Sequence, residues 1–194
     1  MTGDPMFHGA MPQLYDEHLG PVLFAPFADV AVERLAPRSP EHVLELAAGT
    51  GRATRALAAG LPTASVVATD ISRPMLDEAA ARHDGRAVRW RQADARQLPF
   101  GEATFDAVVC HFGVMFLPDK VTCYREVRRV LTADGMFVFA VWEGLAANDV
   151  PATVAAALVE LFPDDPPTFM ERIPHGYHDR GAISGHLADA GFGH

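Results

Sequence analysis

The stretch Val43-Leu44-Glu45-Leu46-Ala47-Ala48-Gly49-Thr50-Gly51 constrains the fold more than any other part of this chain. Its apolar opening reads as a short buried strand, Gly49-Thr50-Gly51 as a turn, and Arg52-Ala53-Thr54-Arg55-Ala56-Leu57 as the start of a helix. Together they make a place for a nucleotide. Glycine permits positive φ and close approach of a ligand, and the helix start offers unpaired N–H groups. Tight βα turns also carry two glycines for structural reasons alone, so a second feature has to decide.

Asp70 is that feature. It stands nineteen residues past Gly51 and closes a second apolar run, Ala64-Ser65-Val66-Val67-Ala68-Thr69. An acid at that distance sits at the tip of the adjacent parallel strand and can accept both hydroxyls of a ribose, so the pocket expects an adenosine.

Glu45 to Gly51 and Asp70 together resemble the class I S-adenosylmethionine-dependent methyltransferases, whose first motif is an acid followed by small residues and glycines. Ala47 departs from that pattern, standing where many members have their first glycine. The resemblance runs from about Glu41 to Glu143. Asp70-Ile71-Ser72-Arg73-Pro74-Met75-Leu76 matches the second-strand motif, and Gln92-Ala93-Asp94-Ala95 the third. Leu98-Pro99-Phe100, Phe105-Asp106-Ala107-Val108-Val109 and Glu126 to Leu131 followed by Asp134-Gly135 continue it in order.

The resemblance implies S-adenosylmethionine as cofactor and S-adenosylhomocysteine as product. Asp70 would hold the ribose, with Ile71 beside it, and Met75 would lie against the adenine. Asp94 would accept from the adenine amino group, and the Ala95 N–H would donate to the ring. Glu45 would help hold the methionine ammonium, directly or through water, while Ala47, Gly49 and Gly51 would leave room beside it. A buried strand seldom ends in an acid without a partner, which favours this over an acid with no ligand.

The chemistry needs little more. A sulfonium methyl donor is already activated, so the protein must bind it and align an acceptor in line with the S–CH3 bond. His111, at the end of the strand Phe105 to His111, borders the transferable methyl in similar enzymes. A neutral imidazole there can take a proton from a hydroxyl or amine near pH 7. The plainer reading, a polar residue that bonds the cofactor or caps the strand, has the better claim. No metal is expected.

Two other readings stay open. A nicotinamide-dependent oxidoreductase would also use Asp70, but Glu45 precedes the glycines, Thr54 stands at the third fingerprint glycine, and Asp94 has the methyltransferase spacing. The other is a non-catalytic cofactor-binding protein with a regulatory or assembly role.

Composition bounds the rest. A chain of 194 residues, 49% hydrophobic, is long enough for one domain with a sizeable core. A formal charge of −9 argues against a broad nucleic-acid or anionic-membrane footprint and favours a small-molecule substrate. Cys110 and Cys123, in apolar strand and helical runs, form neither a disulfide framework nor a metal spacing and suit a reducing cytoplasm. No apolar run approaches the roughly 18 residues that span a bilayer, and nothing resembles an export signal. Oligomeric state is not legible.

Residues 1–40 read as an N-terminal helical lid. Leu14 to Leu35 fall loosely at helical spacing, with Pro21 and Pro26 breaking the segment into two helices across a kink. Tyr15 and His18 are candidate lining residues, with a packing tyrosine and a surface histidine as the alternatives. Residues 41–143 form the core: strands His42–Ala47, Ser65–Thr69, Ala87–Gln92, Phe105–His111 and Met136–Trp142, and helices Arg52–Ala59, Pro74–Arg82 and Lys120–Leu131. Ser72 can cap the second of these helices. Such alternation implies a Rossmann-like α/β fold, a parallel sheet with helices on both faces and its ligand at the carboxyl ends of the strands.

Residues 144–194 read as helix Ala152–Phe162, irregular chain from Thr168 to Asp179 whose apolar residues either pack on the sheet edge or line an acceptor pocket, and helix Arg180–Ala190. In the family an Ala-Gly-Phe turn like Ala190-Gly191-Phe192 leads into two further strands of a seven-stranded sheet. The expectation here is five strands in the order 3-2-1-4-5, a truncated form, and an unpartnered outer edge from Met136 to Trp142.

Overall fold

The computed structural model describes residues 24–85 and 88–193. Five parallel strands form the sheet: β1 (His42–Glu45), β2 (Ser65–Asp70), β3 (Val88–Gln92), β4 (Phe105–His111) and β5 (Leu131–Ala140), in the order β3-β2-β1-β4-β5. Parallel neighbours need crossovers. Helices α1 (Ala25–Leu35), α2 (Arg52–Gly60), α3 (Arg73–Ala81) and α4 (Lys120–Val130) precede or join the strands.

The strands show why the sheet is sandwiched. Successive residues of β1, β2 and β4 are buried on opposite faces, as a period of two requires. Val43, Val66, Ala107 and Val109 pack with Leu35 of α1 and Leu57 of α2, whereas Leu44, Val67, Val108 and Cys110 pack with Tyr124, Val127 and Val130 of α4. Each fully buried side chain of this size contributes about 1.5–3 kcal/mol relative to exposure. Asp119 caps α4, its carboxylate accepting from the Thr122 N–H at 3.0 Å and hydroxyl at 2.8 Å.

From β1 the chain runs outward through β2 to β3, then returns to place β4 on the other side of β1. That reversal opens a crevice at the carboxyl ends of β1 and β4, where a ligand is expected in an open α/β sheet.

Several boundaries differ from the sequence reading. β1 ends at Glu45 because Ala47 adopts φ 51°, turning the chain out of the sheet. Pro26 opens α1 and does not break it: in the first turn a missing N–H costs nothing. Ser72 occupies the N-cap of α3 without a side-chain cap bond; its N–H donates instead to Asp70. β5 starts at Leu131, directly after α4, with an irregular register before Met136, and ends at Ala140. Tyr15, His18 and the segment before Phe24 lie outside the described residues.

Beyond β5 come α5 (Asp149–Leu161), the short α6 (Phe169–Arg172) and α7 (Arg180–Asp189). α5 starts three residues earlier than the sequence reading because Pro151 is accommodated in its first turn. Among the described residues no strand pairs with the outer edge of β5, and no helix is long and apolar enough to cross a membrane.

Candidate active site

The loop after β1 and the tips of β2, β3 and β4 surround a cavity of about 630 Å³. Its floor is Glu45, 1% exposed. The Thr54 hydroxyl donates to Glu45 Oε2 at 2.5 Å, and the Thr69 hydroxyl to the Glu45 carbonyl at 2.8 Å. Burial pushes the Glu45 carboxyl up to about 8, against the lowering effect of Thr54. A site built this way holds a proton until a cation replaces it.

The glycine loop is pinned to β2. The Gly49 N–H donates to Asp70 Oδ2 at 2.8 Å, the Ala48 N–H to the Thr69 carbonyl at 2.9 Å, and the Gly51 N–H back to Ala48 O at 2.9 Å. The two glycines then part company. A Cβ on Gly49 (φ 55°) would meet nothing within 4 Å, and its open side is the cavity. A Cβ on Gly51 (φ 77°) would come within 2.8 Å of the Trp90 ring and 3.0 Å of Ala79, so this glycine serves packing of the loop against β3 and α3 and does not line the cavity.

Asp70 uses one lone pair on each oxygen for the chain itself: Oδ2 for Gly49 and Oδ1 for the Ser72 N–H at 2.8 Å. Burial raises its carboxyl while those bonds lower it. A carboxylate has about four acceptor positions, and with the Ile71 N–H also turned toward this one, acceptor capacity still remains for a ribose hydroxyl. Ile71 is 55% exposed at the rim and Met75 is 4% exposed, both lining the cavity.

Asp94 and Ala95 also line it. Both Asp94 oxygens are held by Arg96, with Nη2 at 2.6 Å from Oδ2 and the Arg96 N–H at 2.9 Å from Oδ1, and this guanidinium keeps the carboxyl below its usual range. An adenine amino group meeting Asp94 has to compete with Arg96.

At the other end stands His111. The Phe27 backbone hydrogen-bonds its ring, and Nε2 is buried with no hydrogen-bond partner among the described residues. Burial lowers its pKa, so the imidazole is neutral at pH 7 with a lone pair unused. Phe112, with φ 51°, sets its ring 4.7 Å from that of His111 and stacks on Trp142 at 4.0 Å. Phe24, Phe116, Phe169 and Ile173 complete an apolar wall. Sequence periodicity could not place Phe169 and Ile173, and nothing in it pointed to Phe24, Arg96 or the bond from Thr54 to Glu45; the i, i+2 spacing of Asp94 and Arg96 was the one signal present.

The cavity suits S-adenosylmethionine: an open cradle at Gly49, acceptor capacity at Asp70 and, at Glu45, a buried acid with no ion pair among the described residues.

A family model for a methyltransferase domain matches residues 43–135. The chain is 38% identical over 97 residues to a ubiquinone/menaquinone biosynthesis C-methyltransferase, UbiE, of Desulfotalea psychrophila, covering 50% of this chain and 39% of that protein. It is 37% identical over 110 residues to a demethylmenaquinone methyltransferase of Thermus thermophilus, covering 56% and 50%. The chain thus spans half or less of the length of these curated relatives. A SAM-dependent methyltransferase structure from Aquifex aeolicus superposes with a TM-score of 0.67 over 95% of this chain and 88% of that one, at 17% identity, which shows the shared fold. The methyltransferase-domain match from Val43 to Gly135, together with the sheet order, supports reading the chain as a class I S-adenosylmethionine-dependent methyltransferase.

Proposed function

We propose that the protein transfers a methyl group from S-adenosylmethionine to a small, largely apolar acceptor. The observation that carries this reading is the convergence of Glu45, Gly49, Asp70 and Asp94 on one cavity whose far wall is His111 and a set of aromatic rings. Asp70 and Gly49 would hold the ribose end, Met75 and Asp94 the adenine, and Glu45 the methionine ammonium. When bound, the cofactor supplies a sulfonium-activated methyl group, so the protein's work is placement.

The acceptor's place lies against Phe112, Phe116, Phe169 and Ile173, which exclude water and match a planar apolar molecule. His111 would accept a proton from its hydroxyl: Nε2 has no competing bond among the described residues, and the Phe27 backbone holds the ring. The names of the two bacterial relatives, which concern quinones, support an acceptor of that kind. The same proposal divides the domain into a covering segment, 1–40, a cofactor-binding core, 41–143, and a C-terminal segment, 144–194. It places the protein in the cytoplasm, supported by two buried free thiols.

The test is incubation with methyl-labelled S-adenosylmethionine and a panel of hydroxynaphthalenes, reduced quinones and amines. Label in an extracted aromatic product is expected. Cofactor binding with no labelled acceptor, across apolar and polar panels alike, would favour a non-catalytic binding protein.

A further inference from the structure

We propose that His175 is a positioning residue for the acceptor side of the cavity: it ties residues 169–178 to the chain leaving β5 and so sets where Phe169 and Ile173 stand opposite Phe112. The inference rests on the reading of that wall given above.

His175 is a 4% exposed polar side chain with no place in the chemistry described. Its Nδ1 lies 2.9 Å from the Glu143 carbonyl, and since a carbonyl accepts, Nδ1 carries the proton. The Asn148 side-chain amide donates to the same carbonyl and to that of Gly144, each at 3.0 Å, which fixes the shape of the receiving loop. The His175 N–H donates to Met170 O at 3.1 Å, closing the turn that carries α6, and His178 Nδ1 donates to the His175 carbonyl at 2.8 Å.

The two segments fit closely: a Cβ on Gly144 would stand 3.0 Å from the His178 ring. Within the turn itself, a Cβ on Gly176 would stand 2.2 Å from the Arg172 carbonyl, so the turn after α6 needs glycine there. On the far side, Trp142 carries the contact onward: its ring lies 6.4 Å from His175 and stacks on Phe112. The two walls of the acceptor space, Phe112 on one side and Phe169 with Ile173 on the other, therefore meet through Trp142 and His175.

The helix before this segment gives it little hold. α5 has no buried residue, and Val150, Val154 and Val159 are all exposed. Tyr177, in the same segment, ties it to α4 and α7 and not to the sheet end, bonding Tyr124 at 3.2 Å and His186 at 2.9 Å. His175 thus carries the buried hydrogen bond that joins the wall-forming turn to the chain leaving β5.

The test compares the full chain with His175→Ala and His175→Asn, whose amide can replace the Nδ1–H donor. Calorimetry measures S-adenosylhomocysteine alone, then 1-naphthol with and without saturating S-adenosylhomocysteine. Loss of one buried hydrogen bond and its packing is expected to weaken 1-naphthol by about tenfold in His175→Ala. His175→Asn should recover most of that, with S-adenosylhomocysteine affinity alike in all three. Unchanged 1-naphthol affinity in His175→Ala would overturn the proposal, as would equal weakening of both ligands or a wild type that binds S-adenosylhomocysteine but not 1-naphthol. A wild type that binds 1-naphthol in a His175-dependent way but not S-adenosylhomocysteine would uphold the positioning role and overturn the cofactor reading instead.

Discussion

Replacing Glu45 by Gln should make the unliganded protein more stable, and increasingly so as pH rises. The Glu45 carboxyl titrates near 8 in the folded chain against 4.5 for an ordinary glutamate, because burial disfavours its charge. Below pH 4.5 both states keep the proton and the residue costs nothing. Between those values the unfolded chain ionises and the folded one does not, so stability falls by about 1.4 kcal/mol per pH unit, then levels off above the folded pKa. Allowing for the flattening near the folded pKa, the loss from pH 6 to pH 8 is about 2 kcal/mol, a large share of a typical domain's stability.

The glutamine side chain would keep an acceptor for the Thr54 hydroxyl and would not titrate. Asp70, whose carboxyl is also raised, is common to both proteins, and its charge adds to the upward push on Glu45. Urea unfolding of the two proteins at pH 5 to 9 should show curves that diverge across pH 6 to 8. Parallel curves would overturn this expectation, since they would mean that Glu45 ionises as easily folded as unfolded.

Other outcomes rest on the same geometry. Binding of S-adenosylmethionine near pH 7 should release close to one proton, about 0.9 for a group moved from near 8 to well below 7, read by calorimetry in buffers of different ionisation enthalpy. No buffer dependence would separate Glu45 from the ammonium. Gly113→Ala should cost about 1–3 kcal/mol in urea unfolding, because the new Cβ would stand 2.6 Å from the Ala47 Cβ and 2.7 Å from Cys110 Sγ. Ala47→Gly in the same chain should recover part of that. If His111 takes the acceptor's proton, His111→Gln should flatten the acid limb of the rate profile, which lies below pH 6.5 because burial lowers this imidazole.

The core was legible because its strands are short apolar runs separated by helical spacing, and the order of the sheet came with the family resemblance. Asp70 was legible for the same reason: a strand-end acid at a fixed distance from a glycine turn has few other uses. The roles of Gly49 and Gly51 were not separable in the sequence, since positive φ is needed at both and only the neighbours, cavity for one and Trp90 for the other, tell them apart. Asp94 was read as a waiting acceptor, whereas a guanidinium two residues away holds both its oxygens. The wall from Phe169 to Ile173 lacks periodicity because a four-residue helix and the turn after it are shaped by tertiary contacts, among them the buried bond from His175 to a loop thirty-two residues earlier.

Whether this cavity is built for an adenosine-bearing cofactor held by Asp70 is decided by calorimetry of S-adenosylhomocysteine and NAD on the wild type and on Asp70→Asn. The variant keeps one acceptor for the glycine loop and loses the charge. S-adenosylhomocysteine is expected to bind in preference to NAD, and about ten- to a hundredfold more weakly in Asp70→Asn, through loss of charge-assisted hydrogen bonds worth roughly 1.5–3 kcal/mol. Tighter binding of NAD, or an S-adenosylhomocysteine affinity that a folded Asp70→Asn leaves unchanged, would contradict it.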